Sequence, residues 1–495
     1  MKKLICILLL IALALSLFSS CASDLHGDPA ATGTPQSSED RPGDNGNNGT
    51  ETPGGDQPAA STGSIGNPSA IGAKSDADSI LPTISIVTES GSAIRTKEYE
   101  GASVSVSGAT VEDQNFEDSH AQIKCRGNFT YTGTDKKSYR VKFDEKINLF
   151  GQGRGPAKSW VLMAEHCDQS FLRNHLAFTM GALLTNISFV SSSSFVHLVI
   201  NGEDQGIYHV AEQHQTGEYR VNINEDPDVI DTDYFIEWDA YADGEYFIDY
   251  FYVGGSKFLV KSDNEMSYEK CSFLSEYFNE AYEALQSGAQ KTIEKYLDLP
   301  SFVDTYILQE IVKNIDVGWS SFFFVKHAGG KISCTCPWDF DLSCGNDARL
   351  DDGSYEGMYV GNSEYAFGWH SLEQGNEWLC YLMRQRWFVD MVYKRWTEIS
   401  DTLKEAALGE IDRIYNCFGD EIASNFEIWK IFGRKINQEP RQIMDLKSYK
   451  AHVDYLRDWL ENRFEWIDGY FSDKTTKYKT TEYKEWGGGW WNDRG

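Results

Sequence analysis

Apolar and polar residues begin to alternate at Ile80, and the alternation predicts a run of strands. Leu81–Thr88, 102–107, 121–125, 138–143 and 160–164 each carry it. At 168–184 the spacing changes to three and four. Phe171, Leu172, Leu176 and Met180 share one side, which predicts a helix with Asp168 as its N-cap. Residues 195–200 and 206–211 alternate again on either side of Asn201-Gly202, a strong hairpin signal. Strands at 234–238 and 257–261 complete the set. Helical spacing then dominates. Residues 268–287 end at Gly288, a helix opens at Pro300 and continues to Lys313, and 385–406, 409–417 and 447–470 follow. The pattern predicts an α+β chain: a β-rich N-terminal lobe at 81–265, a mainly α-helical lobe at 266–473, and a loose tail at 474–495.

The first 80 residues have a different texture. Lys2 and Lys3 precede the apolar run Leu4–Phe18, and small residues lead to Cys21. That is the grammar of a secretory signal at 1–21, too short to be a membrane span. Leu17-Phe18-Ser19-Ser20-Cys21 resembles a bacterial lipobox, which implies cleavage before Cys21 and a lipid on its thiol. The expected location is the cell surface, with the protein exported and tethered to the bacterial membrane by that lipid. Residues 22–80 contain no Phe, Trp or Tyr and carry nine acids against two bases. Such a stretch buries too little apolar surface to offset its ordering entropy, so it is expected to be a disordered acidic linker. The whole chain has 45 Lys+Arg against 75 Asp+Glu, a net charge of −30. That balance argues against nucleic acid as a partner, because such binding needs a basic surface.

The segment 313–345 holds the most chemistry. Residues 320–326 and 331–337 read as a hairpin around Ala328-Gly329-Gly330. With the turn centred between Ala328 and Gly329, Asp316 falls opposite Asp341, and Asp339 opposite Gly318. Three carboxylates then meet at the open end. Asp339 and Asp341 point the same way if the strand continues that far. Close carboxylates repel, and a hard divalent cation such as Mg²⁺ relieves that cost through oxygen ligands. Cys334, Cys336 and Cys344 lack the paired spacing of a structural zinc site, so buried thiols or disulfides are expected for the eight cysteines beyond Cys21. An acceptor-orienting Asp followed by a metal-holding Asp is the logic of protein kinases, with Asp316 and Asp339 as candidates.

The ordered series Ile123-Lys-Cys-Arg-Gly-Asn-Phe-Thr, Lys136-Lys-Ser-Tyr-Arg-Val-Lys-Phe-Asp, Leu149-Phe-Gly, Trp160-Val-Leu-Met-Ala, Phe171-Leu-Arg-Asn-His-Leu-Ala-Phe, Asn201-Gly-Glu-Asp-Gln-Gly-Ile-Tyr, Glu212-Gln213, Asn314-Ile-Asp316 and Trp338-Asp-Phe-Asp-Leu resembles the CotH kinase family, the bacterial spore-coat-type atypical protein kinases. The resemblance implies a kinase-like two-lobe fold, ATP with Mg²⁺ or Mn²⁺, and phosphoryl transfer to Ser/Thr of a protein. It also implies Asp316 as the catalytic residue and Asp339 as a metal ligand, with Asp341 beside it. Kinases commonly place an Asn five residues after the catalytic Asp; position 321 here is Ser. For nucleotide binding the candidates are Lys142 on a strand, Arg126 in Arg-Gly-Asn, and Glu212 at a strand end where a hinge would lie. Gly151-x-Gly153-x-Gly155 lacks the full phosphate-loop pattern. Arg173 and Asn174 are better suited to structural roles. The alternative is a catalytically silent surface module of the same fold that binds protein or glycan, since the chain has 14 Trp and 26 Tyr. A glycosidase would need two carboxyls straddling a sugar cleft, whereas this hairpin clusters them.

Overall fold

The computed structural model describes residues 80–109, 114–149, 155–242, 249–262, 265–367 and 375–482. Cys21, the signal, the linker up to residue 79 and Gly151-x-Gly153 lie outside the described residues. The architecture is mixed α+β, with a β-rich N-terminal region and helices toward the C-terminus. Seven strands close a barrel: β1 Thr83–Thr88, β2 Glu100–Ser107, β3 Phe116–Arg126, β4 Ser138–Ile147, β5 Ala157–Met163, β6 Ser193–Ile200 and β7 Glu203–Glu212. Their order is β1-β2-β3-β4-β5-β7-β6, closed by parallel pairing of β1 with β6. The β6–β7 turn is made by Asn201 and Gly202 at φ +51° and +80°, the left-handed pair that a two-residue hairpin demands.

A second sheet has the order β12-β11-β8-β10-β9. It comprises β8 Tyr234–Trp238, β9 Tyr250–Val253, β10 Ser256–Val260, β11 Phe322–Lys326 and β12 Ile332–Thr335. It therefore draws strands from both sides of the expected boundary at 265/266. The five longest helices are α1 Arg173–Gly181, α2 Tyr268–Ser287, α3 Leu299–Val312, α4 Arg386–Ile428 and α5 Tyr449–Ser472.

Strand β7 is buried on both faces. Tyr208 and Val210 point into the barrel core with Trp160, while Ile207 and Ala211 join the larger core shared by the second sheet and the helices. Lys136 fastens that junction. Its fully buried ammonium donates to Ala164 O at 3.0 Å, to Ile207 O, and to Asn425 Oδ1 on α4 at 2.9 Å. Ile207 N donates to the same Asn425 oxygen at 3.2 Å. Burial pushes the Lys136 amine well below its usual range.

Four sequence expectations are corrected. The helix expected from Asp168 begins at Arg173, because Phe171 takes a left-handed φ of +62°. Asp168 still serves that end, accepting from Arg173 N at 2.9 Å. The helices expected at 385–406 and 409–417 are one, α4, of 43 residues. Gly409 costs a helix only about 1 kcal/mol, and the buried stripe Leu403, Ala407, Ile411, Ile414, Phe418 and Ile422 runs through it unbroken. The hairpin register is one residue off: Phe323 pairs with Thr335 and Lys326 with Ile332, since the loop centres on Gly329. The start of the tail is docked, with Thr480 Oγ1 donating to Met383 O at 2.9 Å and Lys477 paired with Asp390 at 2.8 Å. The eight cysteines from Cys125 to Cys417 are thiols.

Candidate active site

A cleft of about 450 Å³ opens where the barrel meets the second sheet. Asp316, Asp339 and Asp341 line its floor, and Arg126 and Arg140 come from the barrel side. Local sequence explains the placement. Helix α3 stops at Lys313, whose φ of +47° reverses the chain. The Lys313 ammonium holds that reversal by donating to Ser354 O at 2.9 Å and Glu356 O at 2.6 Å. Asn314 Oδ1 then accepts from Asp316 N at 3.2 Å, setting Asp316 in a tight turn. On the other side β12 ends at Thr335. Cys336 and Asp339 take φ of +47° and +69°, so the strand does not continue and strand alternation does not orient the two acids. Both face the cleft nonetheless.

Enclosure by the cleft walls shapes the charges. Burial, reinforced by Asp339, pushes the Asp316 carboxyl up to about 7, against the opposing pull of Arg349. Asp339 is exposed to the cleft but ringed by protein, which raises its carboxyl. Arg126 and a hydrogen bond from Ser321 Oγ at 3.4 Å work the other way. Burial raises Asp341 well above the carboxylate range, with Asp339, Asp316 and Asp168 adding to it. Among the described residues, no three acid, His or Cys side chains are gathered closely enough to encage an ion. Mg²⁺ is usually held by one or two carboxylates plus waters and substrate phosphates, and Asp339 and Asp341 are two carboxylates lining one cleft.

The first turn of α1 fixes the segment carrying these acids. Phe340 N donates to Asn174 Oδ1 at 2.8 Å. The Asn174 amide donates to both oxygens of Glu165 at 3.2 Å, and Glu165 also meets His209 Nδ1 at 2.8 Å. Asn346 Nδ2 donates to Asp341 O at 2.7 Å. Arg173, paired with Asp168 at 2.5 Å, donates to Ser343 O at 2.8 Å and Cys344 O at 3.3 Å.

The cleft thus brings together Asp316, Asp339, Asp341 and Arg126 from the sequence candidates, and leaves out two. Lys142 is exposed on the outer face of β4 and lines a separate groove, because the strand carries it two residues beyond Arg140. Glu212 is buried, paired with Arg220 at 2.6 Å and accepting from Ser192 N at 3.0 Å, so its carboxylate is spent inside the protein. Sequence reasoning missed Arg140, Lys124, Glu165 and the Glu237–Lys261 pair at 3.0 Å, all on the cleft wall. The β3–β4 pairing sets Lys124 beside Arg140. Two basic residues at alternate positions on β3, Lys124 and Arg126, were the available signal. Arg126 lies over the Trp338 ring at 5.4 Å, and the rim carries Tyr241 and Trp319, edge to face at 5.9 Å.

The family model described as CotH kinase protein matches residues 123–467. The chain belongs to the CotH kinase family. The match begins on β3 and ends on α5, so it spans nearly every cleft-lining element of this CotH domain. No curated protein matches the chain closely enough to serve as a relative.

Proposed function

We propose that this CotH-family protein is a protein kinase that transfers the ATP γ-phosphoryl group to Ser/Thr of an extracytoplasmic or surface protein. The observation that carries it is one cleft lined by Asp316, Asp339 and Asp341 together with Arg126 and Arg140. In this reading the barrel side and the helical side act as the two lobes of a kinase-like fold. Asp316 orients the acceptor hydroxyl and takes its proton, a role suited to a carboxyl poised near 7. Asp339 and Asp341 would hold Mg²⁺ or Mn²⁺, which when bound neutralises phosphate charge. Arg126 takes the phosphate-facing role with Arg140, in place of Lys142. Ser321 offers only a hydroxyl where kinases commonly have a metal-binding amide. Cys21 would carry the lipid that anchors the protein to the membrane, and the expected partner is a Ser/Thr-containing protein, not nucleic acid.

The exposed rim pair Tyr241 and Trp319 favours one second reading, a silent module of the same fold that binds protein or glycan through stacking. Calorimetry separates the two. Mg·ATP binding that Asp339→Ala abolishes supports the kinase; glycan binding without Mg·ATP binding supports the module.

A further inference from the structure

A second groove, of about 290 Å³, lies on the outer face of β4 and β5. Arg140, Lys142, Lys146 and Lys158 line it, together with Ser159 and Gln215. Arg140 lines the candidate active-site cleft as well, so the two cavities share a wall. The strand pairing builds the groove. Lys142 is the register partner of Ser159, and Lys146, four residues on along β4, lines the same groove.

These cations lack the partners that surface cations usually find. Among the described residues, Lys142, Lys146 and Lys158 form no ion pair, in a chain with 75 acids to choose from. Arg140 reaches only Ser159 Oγ at 3.3 Å and Gln215 Oε1 at 3.4 Å, and its Nε is buried without a hydrogen-bond partner. The nearby Arg220 does not add to this charge, because Glu212 neutralises it. Glu218 is the one carboxylate among the lining residues, so the groove keeps an excess of positive charge. Three lysines without ion pairs, with Arg140 on the shared wall, fit a compact dianion with several acceptor oxygens.

We propose that this groove binds a phosphoryl group already present on the acceptor polypeptide, so that a chain phosphorylated once is presented again to the adjoining cleft. The proposal rests on the phosphoryl-transfer reading, which makes the phosphorylated chain the product next door. Binding at the groove forms and breaks no covalent bond.

The test uses three fluorescent peptides of one Ser/Thr-rich sequence, carrying Ser, phosphoserine or Glu at one position, titrated by anisotropy without nucleotide. The phosphoserine peptide is expected to bind about tenfold tighter than the Ser peptide, as charge-assisted contacts to a dianion predict, with inorganic phosphate competing. Lys146→Glu/Lys158→Glu should erase the preference and leave Mg·ATP binding unchanged, while Lys146→Arg/Lys158→Arg should keep it. Equal binding of the phosphoserine and Ser peptides overturns the proposal. So does equal binding of the Glu peptide, or a preference that survives the charge reversal. Because no nucleotide is present, the outcome is separate from that of the transfer reaction. A preference in a chain that transfers nothing would sink the kinase reading and leave a phosphate site. Transfer without a preference would sink the groove.

Discussion

Asn174 Oδ1 accepts a 2.8 Å hydrogen bond from the backbone N–H of Phe340, the residue between Asp339 and Asp341. Asn174 is buried, and its amide is spent on Glu165, so the bond has one geometry. Removing it frees the peptide that aims both carboxylates. Asn174→Ala is therefore expected to weaken Mn²⁺ binding about 10- to 100-fold, the usual effect of losing a group that orients a metal ligand. Asn174→Asp should be at least as damaging, because it sets a carboxylate against Glu165. Electron paramagnetic resonance of free Mn²⁺ measures this, and melting curves show that the variants remain folded.

The raised Asp316 carboxyl has a consequence for stability. Its folded value of about 7 lies above the unfolded value of about 4, so the native state binds the extra proton in that window. Its contribution is present below pH 4 and is lost as pH rises toward and through 7. In chelator, Asp316→Asn should match the wild type near pH 4. Near pH 7.5 it should be the more stable by on the order of 2 kcal/mol, the full shift being discounted for a half-buried group. Urea melts across pH measure the difference. Mg²⁺ should restore wild-type stability chiefly at the high end, because a cation at Asp339 lowers the neighbouring Asp316 carboxyl.

Ser321 sits at φ +58° with its hydroxyl 3.4 Å from Asp339 Oδ2. Asn tolerates that left-handed backbone better than Ser does. Ser321→Asn is accordingly expected to fold normally and to add an amide oxygen beside Asp339. Mn²⁺ affinity should rise, and calorimetry that shows unchanged or weaker binding would count against Asp339 as a ligand.

Asn425 completes the shell of the buried Lys136 ammonium and accepts from Ile207 N. Asn425→Ala leaves both donors short of a partner. A loss of about 2–4 kcal/mol is expected from a charged and a neutral donor left unsatisfied. Thermal unfolding measures it.

Much of the barrel was legible because half-buried strands advertise themselves by alternation, and the Asn201-Gly202 turn by its backbone demand. The break expected between 406 and 409 is absent because local propensity at Gly409 is weaker than a continuous buried stripe on α4. Asp316, Asp339 and Asp341 were found by their spacing in the hairpin. The register and the alternation used to align them were not right: the loop centres on Gly329, and Asp339 leaves the strand conformation. The cationic wall was assigned to Lys142 rather than Arg140 because both lie on the same face of β4. Only the tertiary position of the cleft separates them. Asn174 gave no signal as a holder of Phe340, since that contact joins residues 166 positions apart.

The central claim is tested most directly by following ³²P from the γ-position of ATP into a Ser/Thr-rich acceptor protein, with Mg²⁺ or Mn²⁺, for wild type, Asp316→Asn and Asp339→Ala. The account predicts label on Ser/Thr with the wild type, removed by chelator, and a fall of at least about a hundredfold in either variant, the scale of losing a positioned general base or the metal that clamps the phosphates. No transfer by a folded wild-type protein, or transfer that survives Asp339→Ala, would contradict it.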